Sequence, residues 1–130
     1  MLDQRILVNQ IFCSALSCSY SGVAVDYWEK FARLVLDANY EASIWAAMLA
    51  KPPADGSPRV LYLTFLGGGV FGNKPEWVTS AMGRAIALAY KYRLSLSIVI
   101  CHFKTINKEW RDMVDNAVQY EMGRNNPASE

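Results

Sequence analysis

Residues 59–66, RVLYLTFL, form a nearly continuous apolar run that leads directly into a glycine-rich segment. Apolar runs without strict alternation are typical of strands covered on both faces in a parallel sheet. Residues 94–101, LSLSIVIC, begin with strict alternation and then become fully apolar, which also predicts a strand. Because parallel strands need a crossover connection, usually a helix, the two runs predict a chain that alternates strands with helices.

Helical patterns occupy the segments between and after these runs. Apolar residues recur at steps of three and four behind Asp26 and Glu29, which are spaced as a capping box. The predicted buried stripe of this long helix consists of Trp28, Phe31, Val35, Ala38, Ala42, Trp45 and Leu49. A second helix is predicted from Asn73, as its N-cap, to about Tyr92, with Pro75 in its first turn. Its buried stripe is predicted as Val78, Ala81, Met82, Ala85 and Ala89.

Two further elements complete the predicted order. Residues 5–16 are rich in apolar and β-branched types without helical period, and they predict a first strand. A last helix is predicted from about Asn107. The order of strand and helix repeated three times predicts an α/β fold, a three-layer α/β/α arrangement with a mostly parallel sheet. We expect one α/β domain over residues 1–123 and a flexible tail over residues 124–130.

Composition limits the classes of function. The chain has 130 residues and a formal net charge of +1, so bulk charge does not favour nucleic acid or an anionic membrane. No apolar run is long enough to span a bilayer, and the start of the chain does not resemble a signal peptide, so we expect a cytoplasmic protein. The three cysteines are an odd number without CxxC spacing, which is typical of a reducing compartment and indicates neither a disulfide framework nor a metal site.

The glycine-rich segment LGGGVFGN, residues 66–73, is the strongest functional signal. It follows a predicted parallel strand and precedes a predicted helix, the place where ligands bind in open α/β sheets. Free N–H groups of Gly67, Gly68, Gly69 and Gly72, together with the helix dipole, favour an anion such as phosphate. The alternative is a tight strand-to-helix turn in which the glycines are purely architectural.

Two familiar phosphate motifs fit this segment poorly. Gly67, Gly69 and Gly72 match GxGxxG, but Cys101, His102 and Phe103 stand where a dinucleotide site needs an acidic residue after the next strand. A P-loop requires Lys and then Ser or Thr after its last glycine, and this chain has Asn73 and Lys74. Neither a dinucleotide cofactor nor ATP hydrolysis is expected.

The segment Gly69-Val70-Phe71-Gly72 resembles the Gly-Ile/Val-Tyr/Phe-Gly segment of macro domains, an ADP-ribose-binding α/β family. The similarity covers roughly residues 5–103 and corresponds to the C-terminal half of that fold. It implies that the amides of Gly68, Gly69, Val70 and Gly72 hold the phosphates of ADP-ribose or a related nucleotide, and that Phe71 lies beside the distal ribose. Gly67 and Asn73 flank this cradle.

The first half of a macro domain, with its asparagine-rich segment and second glycine loop, has no counterpart in this sequence. We therefore expect a binding domain without catalytic residues. An ADP-ribosyl or phosphoester hydrolase is a less favoured alternative. The serine-rich segment SALSCSYSG, residues 14–22, offers other donors, and Ser14 and Ser17 are candidate ligand contacts at the same crevice.

The predicted helices present more apolar surface than three strands can cover. Trp28, Phe31, Trp45 and Leu49 lie on one helix, and Trp110 lies on another. Uncovered sheet edges pair readily with another chain, and two-fold pairing is the commonest closed arrangement. We therefore expect a homodimer. An alternative function follows, that of an assembly module whose glycine segment is only a turn.

Overall fold

A computed structural model describes residues 7–124. Two short 3-10 helices, Cys18–Tyr20 and Val25–Trp28, precede the regular elements. These are helix α1 (Glu29–Leu49), strand β1 (Arg59–Leu63), helix α2 (Pro75–Lys91), strand β2 (Leu96–Ile100) and helix α3 (Lys108–Arg124). Within the described residues, no helix is both long and apolar enough to cross a membrane.

The two strands form a parallel pair, as the apolar runs predicted, and with the three helices they make a small α/β fold. Leu61 pairs with Ile98 and Leu63 pairs with Ile100, and these side chains belong to the face that packs on the core. The opposite face is open, because Val60 and Tyr62 are 52% and 66% exposed. The helices therefore cover one face of the sheet in the described part of the chain.

Helix α2 lies at the centre of the core and packs against both α1 and α3. Its predicted stripe is confirmed, since Val78, Ala81, Met82, Ala85 and Ala89 are all buried. Helices α2 and α3 pack closely at Gly83, where a Cβ would overlap the Cβ of Ala117 on α3. The position of α2 fixes its first turn beside the end of β1, where the glycine-rich segment lies.

The predicted buried stripe of α1 is wrong by about one residue of rotation. The helix buries Ala32, Leu36, Tyr40, Ser43 and Ile44 instead. Phe31 and Leu34 are exposed, as are Trp45 and Leu49 farther along the helix.

A hydrogen-bonded tyrosine accounts for this rotation of α1. The Tyr40 hydroxyl donates to the Thr64 carbonyl at 2.7 Å and accepts from the Leu66 N–H at 2.9 Å. A buried tyrosine needs such partners, and these lie at the end of β1. Apolar spacing alone could not choose between two adjacent stripes.

The predicted first strand is also wrong. Residues 7–16 contain neither helix nor strand, and residues 5 and 6 lie outside the described part. A strand needs a hydrogen-bonded partner, but an open cleft of about 420 Å³ separates residues 9–13 from β1. The Phe12 side chain is 90% exposed. Residues 7–16 have strand-like composition, but they pair with neither edge of the described sheet.

Neither predicted helix cap forms. The N-cap position of α1 is Trp28, which makes no capping side-chain hydrogen bond. The carboxylate of Asp26 instead pairs with the Lys74 ammonium at 2.5 Å. At α2 the N-cap position is Lys74 rather than Asn73, while Pro75 is the first helical residue as predicted. The ion pair ties the start of α1 to the start of α2.

Candidate anion-binding site

The glycine-rich segment connects the carboxyl end of β1 to the amino end of α2. Two of its glycines adopt the left-handed backbone region, with φ of +68° at Gly67 and +72° at Gly72. A Cβ at Gly67 would overlap Ala15 and would lie 2.5 Å from Nδ2 of Asn73. Both the backbone conformation and the packing therefore require glycine at position 67.

The other two glycines differ sharply in their surroundings. A Cβ at Gly68 would lie 2.5 Å from the Trp110 ring of α3, so glycine at this position allows the loop backbone to pack directly against that ring. A Cβ at Gly69 would meet nothing within 4 Å, and its φ is not left-handed. The backbone conformation at Gly69 therefore does not by itself exclude a larger residue. A Cβ there would still project into open space over the loop.

Four consecutive backbone amides of the loop are unengaged. The N–H of Gly72 donates to the Gly69 carbonyl and that of Asn73 donates to the Gly67 carbonyl, each at 3.0 Å. The amides of residues 68–71 donate to no acceptor among residues 7–124. Successive N–H groups without internal partners are the requirement for a backbone anion site.

The carbonyls of the same loop are engaged by the protein. Those of Gly67 and Gly69 accept the two loop amides just described. The Phe71 carbonyl accepts the Ser19 N–H at 3.1 Å, and the Val70 carbonyl accepts the Ser19 hydroxyl. An anion is repelled by carbonyl oxygens, so this division of the peptide dipoles favours its binding.

Ser19 is thus the residue of the serine-rich segment that contacts the loop. The Tyr20 ring adds an edge-to-face contact with Phe71, with 6.3 Å between the ring centroids. The sequence predicted that residues 14–22 lie near the crevice, but it indicated Ser14 and Ser17 instead. In a cluster of four serines, composition carries no signal for which one touches the loop.

The structure places Ser14 and Ser17 beside the loop segment without a hydrogen bond to it. The Ser14 hydroxyl donates to the adjacent Ala15 carbonyl at 3.0 Å. Ser17 is exposed and precedes the first 3-10 helix without capping it. A contact of either hydroxyl with a ligand stays a prediction.

Asn73 holds the loop from below. Its side chain is 3% exposed, and Nδ2 donates to the Leu16 carbonyl at 2.8 Å and to the Gly67 carbonyl at 3.3 Å. Its Oδ1 is buried and has no hydrogen-bond partner in the described residues. An unsatisfied buried oxygen is costly, which makes it a strong acceptor for a water molecule or a donor group beside the loop.

One cation lies next to the loop. Lys74 pairs with Asp26, and this hydrogen bond raises the pKa of the lysine and keeps it charged. Its Nζ also lies 5.7 Å from the centre of the Trp77 ring. The ammonium stands at the N-cap of α2, so it adds to the positive end of the helix dipole.

The floor of the loop is a cluster of three rings. Trp110, which supports Gly68, packs edge-to-face on Phe65 with 4.7 Å between the centroids. The Phe65 ring lies 5.1 Å from that of His102. Nδ1 of His102 accepts the Asn107 N–H at 3.2 Å, which leaves Nε2 as the protonated nitrogen of the neutral ring. The ring cluster links the carboxyl ends of both strands under the loop.

Other reactive groups are not brought together. No group of three histidine, cysteine or acidic side chains suited to a metal ion occurs among residues 7–124. All three cysteines are free thiols. Burial raises the pKa of Cys13 and Cys18, so neither thiol is activated as a nucleophile at neutral pH.

No protein-family model, curated protein or solved structure matches this chain. The resemblance to macro domains therefore rests on the residues of the glycine-rich segment and on its place between a strand and a helix.

Proposed function

We propose that this chain is a macro-like binding domain that holds the diphosphate of ADP-ribose or a related nucleotide at residues 67–73. The observation that supports it is the division of polar groups in the loop. Carbonyls at four positions accept hydrogen bonds from the protein, whereas the amides of residues 68–71 stay available. These four amides can therefore donate to a bound anion.

The charge at the loop and its number of free amides support an anion with several oxygens. The loop lies at the positive end of α2. The ammonium of Lys74 lies at the same end, where Asp26 neutralises part of its charge. Four successive amides offer more donors than a single carboxylate needs, and they suit the several oxygens of a diphosphate. Phe71, half-buried against Tyr20, is the proposed neighbour of the distal ribose.

We propose binding without catalysis. The loop's own side chains are Val70, Phe71 and Asn73, and none of them titrates near neutral pH or acts as a nucleophile. The ammonium of Lys74 is held by Asp26, and His102 lies in the ring cluster beneath the loop. The groups close to the proposed phosphates can therefore bind charge and orient it.

Calorimetric titration with ADP-ribose tests the proposal. We expect the parent protein to bind it, and Gly69→Val to lose binding because the added side chain would occupy the space above the free amides. Gly123→Val is the matched control, since Gly123 also has open space around its Cβ and no left-handed φ. Binding of ADP-ribose by Gly69→Val with unchanged affinity would refute the assignment, and so would absence of binding by the parent.

A series of smaller ligands then locates the contact. Inorganic pyrophosphate should compete with ADP-ribose for the loop, whereas adenosine, which carries no phosphate, should not. At a ligand concentration a hundred times the dissociation constant, the fold should gain about 2.7 kcal/mol of stability, which a thermal shift can detect. Competition by adenosine alone would place the ligand elsewhere.

A second candidate function, an assembly module, is favoured by the apolar surface that the helices and sheet leave open. Phe31, Leu34 and Leu49 are exposed on α1. Trp45 is 37% exposed and packs edge-to-face on the Tyr92 ring, with 5.7 Å between centroids. Exposed apolar surface of this extent is typical of protein interfaces. We propose that two copies form a homodimer through this face of α1.

A second layer over the open face of the sheet would complete the three-layer arrangement. Val60, Tyr62 and Val99 form that face, and we propose that it is covered in the assembled protein. Light scattering at micromolar concentration should give the mass of a dimer. Leu34→Glu should shift this mass to that of a monomer, whereas Lys108→Glu, an exposed control on α3, should not. A monomeric parent would contradict the homodimer.

A further inference from the structure

The outer edge of β2 is unpaired. The Cys101 N–H donates to the Leu63 carbonyl at 2.8 Å, so residues 97, 99 and 101 direct their backbone groups toward β1. Ile98 and Ile100 therefore direct their N–H and C=O groups toward the other side. The described residues contain no strand on that side, because the sheet has two strands. The edge can accept a further strand.

An apolar groove runs beside this edge. It consists of three adjoining cavities of about 320, 550 and 400 Å³, all of which include Ile100 in their walls. Its remaining apolar walls come from β2, α2 and α3, namely Leu96, Ile98, Ile86, Tyr90 and Val118. The β2 side chains are only half-buried as a result. A strand added at the edge would place alternate side chains into this groove.

The groove is positively charged at both ends. Arg93 lines its amino end, where β2 begins, and Lys104 and Arg111 line its carboxyl end. The acidic residue in its wall is Asp115 on α3. Arg111 is partly neutralised by Asp112 at 3.0 Å, so Arg93 and Lys104 are the main charges. Acidic groups on a bound segment would meet them.

We propose that the outer edge of β2 binds an extended segment of another protein, with alternating apolar residues in its centre and acidic residues at both ends. Main-chain hydrogen bonds to Ile98 and Ile100 would supply affinity, and the groove and the two cations would supply specificity. The five residues of β2 with their flanks correspond to a segment of about nine residues.

The charges argue against a second copy of this chain as the occupant. Its own apolar runs begin with Arg5, Arg59 and Arg93, and none is flanked by acidic residues at both ends. An arginine-flanked strand would place like charges beside Arg93 or Lys104. Like charges across an interface disfavour the wrong partner, so the edge selects a different sequence.

A labelled synthetic peptide tests the proposal by fluorescence anisotropy. It has two aspartates at each end and alternating valine and threonine between them. We expect saturable binding that a peptide with two central prolines does not show, because proline cannot donate to the edge. Hydrogen exchange should slow at the amides of Ile98 and Ile100 in the complex, and less at that of Val99, which already faces β1.

Charge reversal separates specific docking from general attraction. The double variant Arg93→Glu with Lys104→Glu, at two exposed positions, should weaken binding of the acidic peptide at least about tenfold. It should strengthen binding of a peptide with lysines at its ends. Lys30→Glu with Lys51→Glu changes the net charge equally and should leave both affinities unchanged.

Three results would overturn the proposal. The first is no binding of the acidic peptide to the parent at about 1 mM. The second is binding of the proline peptide with the same affinity as the acidic peptide. The third is an equal loss of affinity in the control variant with Lys30→Glu and Lys51→Glu. Protection of Ile98 and Ile100 by self-association alone would make a second copy the occupant instead. Titration with ADP-ribose reports on the glycine loop separately.

Discussion

Substitution of alanine for two neighbouring glycines separates the architectural glycines of the loop from the open one. Gly67→Ala places a Cβ at a left-handed φ, which costs about 1–2 kcal/mol. The same Cβ overlaps Ala15 and lies 2.5 Å from Nδ2 of Asn73, and overpacking of this kind costs about 1–3 kcal/mol. The free energy of unfolding should fall by about 2–5 kcal/mol in total.

Gly69→Ala is the matched control two residues away. Its Cβ meets nothing within 4 Å and its φ is not left-handed, so the reduced freedom of the unfolded chain should leave stability unchanged or raise it by up to about 1 kcal/mol. Urea denaturation of the parent and both variants gives the three free energies of unfolding. A loss below about 0.5 kcal/mol in Gly67→Ala, or equal losses in both variants, would refute the reasoning about the loop.

Three further changes test a buried hydroxyl, a loop contact and a buried carboxylate. Tyr40→Phe should destabilise the protein by about 1–3 kcal/mol in urea, because Leu66 loses an acceptor and Thr64 a donor, and a loss near zero would contradict the role of this hydroxyl. Ser19→Ala should weaken ADP-ribose binding with little change in melting temperature, because the Val70 carbonyl is then free to turn toward the ligand, and unchanged affinity would contradict this. Burial raises the pKa of Asp37, so its ionisation opposes folding, and the free energy of unfolding should fall as pH rises from the ordinary pKa of 3.8 through the raised value. Asp37→Asn should remove this fall and be at least as stable as the parent at neutral pH. An unchanged pH profile in this variant would refute the reasoning.

The parts of the fold that sequence predicts well are those fixed by local pattern. The apolar runs beginning at residues 59 and 94 contain the two strands, and Pro75 marks the start of α2. The buried stripe of α2 was predicted correctly because the large apolar residues and alanines of this helix fall mainly on one face. The glycine-rich segment was placed correctly because the elements on both sides of it were.

The parts predicted wrongly depend on partners distant in sequence. The rotation of α1 follows from the hydrogen bonds of Tyr40 with the end of β1, which lie more than 20 residues away. Asp26 lies in the 3-10 helix before α1 and pairs with Lys74, so it does not cap its own helix. Residues 7–13 have strand composition, but a strand exists only where another edge pairs with it. Local pattern contains none of this information.

The candidate site shows the same limit at the scale of single peptide groups. Composition indicates that Gly67 and Gly72 permit unusual backbone angles, but it does not say which way each peptide points. That direction is set by Ser19, which engages two loop carbonyls from a segment about fifty residues earlier in the chain. Asn73 adds a second restraint through Leu16. Because both restraints hold carbonyl oxygens, the amides of residues 68–71 are left as donors, and their availability depends on contacts that the local sequence does not show.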